Sequence, residues 1–311
     1  MERIIGEFTG NEHGALVFCF GGMHGNEKAG VKALDLVFKM LEVEPITNPS
    51  FTFKGRLVGL LANKKAYNLQ KRFMVKDLNR QWKIEHITTI QTLPYEQLDA
   101  EDSELLALLA VIKNEIATYQ PTQLYFLDLH TTSAQGGIFS IVADDLPSLK
   151  LATALHAPVV TGLLNGIEGT TLHYFNTENL GLPTSTVSFE AGQHDEPFSI
   201  NRSIAAIIHF LRATKCIRDE DVENRHDEVL INYASGLPKV VRLVNVHRIA
   251  PDDNFVMQPN YKNFQPIKKG EWLASDRHGK IVANEDGMIL MPLYQPQGSD
   301  GFFVVQEAVI S

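Results

Sequence analysis

A chain of 311 residues, 44% of them hydrophobic, can bury one large core and leaves room for a smaller second unit. The formal net charge of −9 argues against a nucleic-acid partner, because binding phosphates needs Lys and Arg clustered on one face, but it allows a small anionic ligand held by a few local arginines. The two cysteines, Cys19 and Cys216, exclude a disulfide framework and a cysteine metal site, and they fit a reducing cytoplasm.

The first residues lack a basic region followed by a long apolar core, and no later apolar run is long enough to span a bilayer. Neither a secretory leader nor a membrane partner is expected. Residues 3–8 and 15–20 are short β-prone runs, and residues 28–43 carry apolar side chains at helical spacing. Residues 55–62 (GRLVGLLA) predict a buried strand, residues 103–118 a helix, and residues 123–129 (QLYFLDL) another buried strand. Residues 138–143 and 184–189 add two strands, and residues 199–214 an amphipathic helix. Continuous apolar strands interleaved with helices predict an α/β fold with a mainly parallel (mixed) sheet flanked by helices. Residues 218–228 are crowded with charge and read as a linker or a solvated surface segment. From about residue 239 the pattern changes to short strands broken by Gly, Pro, Asp and Asn, which predicts a small all-β C-terminal domain. The expected division is 1–225 and 226–311.

Four stretches could carry chemistry. In the first, FCFGGMHGNE, an apolar strand ends in two glycines and then sets His24 and Glu27 three residues apart. Imidazole and carboxylate oxygen are both zinc ligands, and ligands gather at the carboxyl ends of strands in open α/β sheets. The alternative is a turn histidine beside a glutamate that suits the start of the following helix. In the second, QLYFLDLHTTS, a buried strand ends in Asp128, Leu129 and His130. Asp128 and His130 point to the same face, so His130 is the candidate third ligand and Asp128 a carboxylate that could hold its ring. The third, NKKAYNLQKRFMVKDLNRQW, brings Arg72, Asp77, Asn79 and Arg80 into one loop region. Arginine binds carboxylates through a two-pronged fork, so this loop is either a clamp for an anionic substrate or a solvated basic loop. In the fourth, PTSTVSFEAGQHDEP, a strand delivers Glu190, which could serve as a proton-transferring base or could cap a neighbouring turn. His194, just beyond it, is either a substrate contact or a surface residue, the surface reading being favoured, and the remaining histidines carry no usable pattern.

Taken in order, GGMHGNE, DLNR, DLHTT and FEAGQ resemble the succinylglutamate desuccinylase/aspartoacylase family of the zinc carboxypeptidase superfamily. The resemblance spans roughly residues 17–214 at the level of motifs, and the β-rich tail looks like the family's second domain. It implies one zinc ion per chain held by His24, Glu27 and His130, with Glu190 as general base and acid. It also implies that Arg72 stabilises the charge on the scissile carbonyl, that Asn79 and Arg80 hold a substrate carboxylate, and that Asp77 orients their loop. The implied reaction is hydrolysis of an N-acyl amino acid by zinc-activated water. A carboxypeptidase acting on short peptides, or an inactive binding protein of the same fold, are the alternatives.

Departures from the pattern bear on the substrate. In aspartoacylases an arginine before the catalytic glutamate reads the substrate's side-chain carboxylate; here the corresponding stretch, HYFNTENLGLPTST, contains no arginine. Residues 166–175 (GIEGTTLHYF) look instead like the more general members of the family, in which a helix follows a Gly-Thr turn. Tyr294, in PLYQPQGSDGFF, is a candidate substrate contact from the tail. The oligomeric state is left open, a homo-oligomer included.

Overall fold

The apolar runs expected to be buried strands form the middle of one large sheet, with side chains packed on both faces. The computed structural model describes residues 2–221 and 225–309. Its strands are β1 (Ile4–Thr9), β2 (Glu12–Gly21), β3 (Lys54–Leu61), β4 (Leu124–Thr132), β5 (Phe139–Val142), β6 (Val159–Thr161) and β7 (Thr184–Gln193). They continue with β8 (Val240–Arg248), β9 (Val256–Met257), β10 (Gln265–Ile267), β11 (Trp272–Asp276), β12 (Gly279–Val282), β13 (Gly287–Leu290) and β14 (Asp300–Glu307). Eleven of them form a mixed sheet in the order β1-β3-β2-β4-β7-β5-β6-β8-β14-β13-β10, and β12-β11-β9 form a separate antiparallel sheet. The central run β3-β2-β4-β7 is parallel throughout.

Alternation along β2 divides the core. Leu16, Phe18 and Phe20 pack with Leu105, Leu108 and Ile112 of the helix Ala100–Tyr119. Val17 and Cys19 face the other way, toward Ala33, Leu34 and Val37 of the helix Ala29–Thr47 and Ile207 and Phe210 of the helix Phe198–Ala213. Both faces of the sheet are therefore covered, as the continuous apolar runs require.

The tail takes two forms. β8 pairs in parallel with β6, and β14, β13 and β10 follow it outward as antiparallel strands, so the main sheet continues into the C-terminal region. The three-stranded sheet is the separate all-β element. The charged segment after residue 217 is partly ordered by Asp221, which is buried and accepts from the Arg218 guanidinium, and the helix Arg225–Tyr233 packs on Phe198–Ala213. Residues 222–224, where the linker was expected, lie outside the described residues. Among the described residues no helix is long and apolar enough to cross a membrane.

Candidate active site

The parallel strands β2, β4 and β7 run side by side, so their carboxyl ends deliver three segments to one place. Past the end of β2 the chain turns through Gly22, whose φ of 66° is the left-handed region that glycine adopts without strain, and reaches His24. Gly25 crosses so close to the neighbouring loop that a Cβ there would lie 2.2 Å from the Ala66 carbonyl carbon. Gly25→Ala is expected to destabilise the fold by about 1–3 kcal/mol, read from the urea unfolding midpoint, because backbone rather than a flexible side chain must give way.

Glu27 precedes the helix Ala29–Thr47 and is not spent on capping it. Its carboxylate lies between two imidazoles, with Oε1 2.8 Å from His24 Nδ1 and Oε2 3.0 Å from His130 Nδ1, and the Thr131 amide donates to Oε2. All three side chains are buried, and their ligand atoms lie within 4.8 Å of one another. The other edge of each ring also meets a carboxylate. His24 Nε2 is 3.1 Å from Asp77 Oδ1, and His130 Nε2 is 3.1 Å from Asp128 Oδ2. Such outer carboxylates fix ring orientation and tautomer, leaving both Nδ1 atoms facing the Glu27 carboxylate. Burial works against the charge of Glu27, yet the His24 and His130 imidazoles outweigh it and hold the carboxyl well below its ordinary range. Burial likewise opposes the His130 imidazolium, but Asp128 and Glu27 raise its pKa well above that of a free histidine. Two imidazoles, one carboxylate and an outer carboxylate behind each ring are a donor set that fits a zinc ion.

Glu190 sits on β7 directly beside His130 on β4, its register partner. It is only 7% exposed, and its Oε2 meets no hydrogen-bond partner among the described residues. Burial pushes its carboxyl up to about 7, with His130 opposing and Glu27 adding to the effect. A carboxylate with that pKa is tuned for proton transfer near neutral pH.

The loop between β3 and the helix Ala100–Tyr119 supplies the cations. Asp77 accepts from the Asn79 amide at the start of a short 3₁₀ turn, Leu78–Arg80, and also from Arg72 Nη2 at 3.0 Å. Arg72 Nη1 is 3.6 Å from Glu27. Asn79 turns Nδ2 toward His130, and its Oδ1 accepts from the Thr171 amide at 3.0 Å. Thr171 opens the short helix Thr171–Tyr174 after a Gly-Thr turn, as the sequence led us to expect, and its hydroxyl donates to Asp128 Oδ2.

Most of these residues border one pocket open to solvent. His24, Glu27, Arg72, Asp77, Asn79, Arg80, His130 and Glu190 all border it, while Asp128 lies behind His130. The far wall comes from the tail, through Met291, Leu293, Gln295, Asp300 and Phe303. Tyr294 is not part of this wall. The backbone alternates there, so Leu293 and Gln295 face the cavity while the Tyr294 hydroxyl donates to the Gln258 carbonyl and accepts from the Tyr261 amide. His194 is not the surface residue expected: it is half-buried, with Nδ1 2.8 Å from the Thr131 hydroxyl and Nε2 3.2 Å from Gln295 Oε1. Gln295 and Asp300 were not singled out from the sequence, because both reach the site from strands and turns remote along the chain.

At the carboxyl edge of its parallel core the mixed sheet thus carries a His–Glu–His group and, one strand away, a glutamate whose Oε2 is unpartnered among the described residues. Residues 13–213 match the model of the succinylglutamate desuccinylase/aspartoacylase catalytic domain. A probable aspartoacylase of Nostoc sp. is 31% identical over 282 residues, covering 88% of each chain. One from Trichodesmium erythraeum is 36% identical over 137 residues, which span 43% of this chain and 42% of that protein. Among solved structures, a succinylglutamate desuccinylase/aspartoacylase from Rhodobacter sphaeroides superposes with a TM-score of 0.64 at 16% identity, over 96% of this chain and 87% of that one. The chain belongs to the succinylglutamate desuccinylase/aspartoacylase family, a family of hydrolases.

Proposed function

We propose that the protein is a zinc-dependent amidohydrolase that removes the acyl group from a small, carboxylate-bearing N-acyl amino acid. The observation that supports this best is the pairing of His24, Glu27 and His130 with an unpartnered Glu190 one strand away. His24, Glu27 and His130 would hold the ion, and zinc, when bound, supplies Lewis-acid activation of water and of the scissile carbonyl. Glu190, not needed as a ligand, takes a proton from the attacking water and passes it to the leaving nitrogen. Arg72, beside the ligand group, stabilises the negative charge that develops on the carbonyl oxygen. Asn79 and Arg80 receive the carboxylate of the amino-acid half, and Asp77 and Asp128 keep the histidine rings in place. The two buried free thiols, Cys19 and Cys216, support a reducing, cytoplasmic setting.

The test is a hydrolysis screen of zinc-supplemented protein over N-acetyl, N-succinyl and N-formyl amino acids, reading release of the free amino acid. Turnover of at least one class is expected. A protein that trims C-terminal residues from short peptides and ignores every N-acyl amino acid would be a carboxypeptidase instead.

A further inference from the structure

The cavity's own charges restrict the substrate further. Both guanidiniums that line it are already met by carboxylates: Arg72 by Asp77 and, at 3.6 Å, Glu27, and Arg80 by Asp300, whose Oδ2 lies 2.6 Å from Nη2. Arg80 Nη1 donates to the Asn79 carbonyl at 2.9 Å. Asp300 opens β14 and is itself buried; its second oxygen pairs with Arg248, which also donates to the Gly166 carbonyl. Four lining carboxylates, Glu27, Asp77, Glu190 and Asp300, stand against two lining arginines, with Arg248 behind Asp300. One substrate carboxylate can still approach Arg80, which borders the cavity and whose side chain is 22% exposed. No lysine lines the cavity to receive a second.

The contacts of Asp300 also place Arg80 next to an apolar surface. Through Arg248 the same carboxylate is tied to Gly166, which lies between Leu163 and Ile167 in the chain, and three residues along β14 comes Phe303. Leu163, Ile167 and Phe303, with Ile141 and Leu172, are buried and line the cavity. An acidic side chain placed there would lose its water and gain no partner, whereas an aliphatic one would bury apolar area.

We propose that the substrate is an N-acyl amino acid with a single carboxylate and an apolar side chain, seated on the Leu163–Ile167–Phe303 wall. Asp300 is the specificity-determining residue that neutralises Arg80 against a second carboxylate. This rests on the deacylase reading above. It also accounts for the absence of an arginine from the stretch before Glu190.

The experiment compares kcat/KM of the zinc-loaded protein on N-acetyl-leucine and N-acetyl-methionine with that on N-acetyl-aspartate and N-acetyl-glutamate. The apolar pair is expected to lead by about tenfold or more. Asp300→Asn is expected to shrink that ratio by lowering KM for the acidic pair. Because Asp300 holds two arginines, Ile167→Lys serves as a second variant that places a cation on the wall without touching them, and it is expected to shift preference the same way. Faster turnover of the acidic substrates by the unaltered protein overturns the inference while leaving the deacylase reading intact. A ratio unmoved in folded Asp300→Asn and Ile167→Lys overturns the assigned specificity, and turnover of peptides alone overturns both readings.

Discussion

Glu190→Gln is expected to lower kcat by about 10²–10⁴ while leaving zinc binding intact. The amide keeps the shape of the side chain but cannot take a proton from water. The carboxylate touches no ion-holding atom in the arrangement described, so the metal content of the variant should equal that of the unaltered protein. The pairing of these two readouts is what distinguishes a base from a ligand. Elemental analysis of Glu190→Gln protein showing lost zinc, or kinetics showing undiminished turnover, would remove Glu190 from the role assigned to it. Its buried setting pushes its carboxyl up to about 7, which would let it accept a proton in one half of the proposed reaction and release it in the other.

The second large effect concerns the ion. His130→Ala is expected to lose stoichiometric zinc and to lower turnover by about 10³-fold or more, because Lewis-acid stabilisation of the transition state is worth several kcal/mol. Asp128→Asn, which leaves all three donors in place and weakens the hold on the His130 ring and on the Thr171 hydroxyl, should cost about 10–100-fold in zinc affinity and recover activity at saturating metal. Chelation of the unaltered protein should lower its stability by about 3–4 kcal/mol relative to protein in zinc at roughly 10²–10³ times Kd. Acidification should release the ion as well, since donors must be deprotonated to bind it. A protein whose melting temperature ignores both chelator and added zinc would count against a metal centre at this position.

Much of this arrangement is legible in the chain, and the rest is hidden for identifiable reasons. The apolar runs of β2, β3 and β4 announce buried parallel strands, and their boundaries fall within a few residues of expectation. The sheet continues past those runs, however: pairing of Thr132 with Gln193 places His130 and Glu190 inside β4 and β7 instead of just beyond them. Hydrophobicity marks a strand's buried length but not how far its hydrogen bonds extend. β6, three residues long, and the helices Ile84–Thr92 and Leu146–Thr153 are too short or too weakly patterned to stand out. His24, Glu27 and His130 are legible because they lie at strand ends in a recurring order. The setting of His194 is hidden because its partner Gln295 is 101 residues away, and Asp300 carries no local mark because its partner Arg80 lies 220 residues earlier. Tyr294 drew attention as an aromatic near the site, but alternation of the chain turns its neighbours inward and its own ring out.

The continuation of the main sheet through β6 and β8 into β14 affects how the protein matures. The apolar wall is assembled from the segment around Leu163 and Ile167 and from Phe303, which reaches it only when β14 has added to β8. Such pairing joins segments distant in sequence, so loop closure must precede the contacts that reward it. Until it forms, β8 presents an open edge, and an intermediate at that stage can zip onto another chain. The apolar wall thus depends on strands at the far end of the sheet, whereas His24, Glu27 and His130 are brought together by the pairing of β2 with β4 alone.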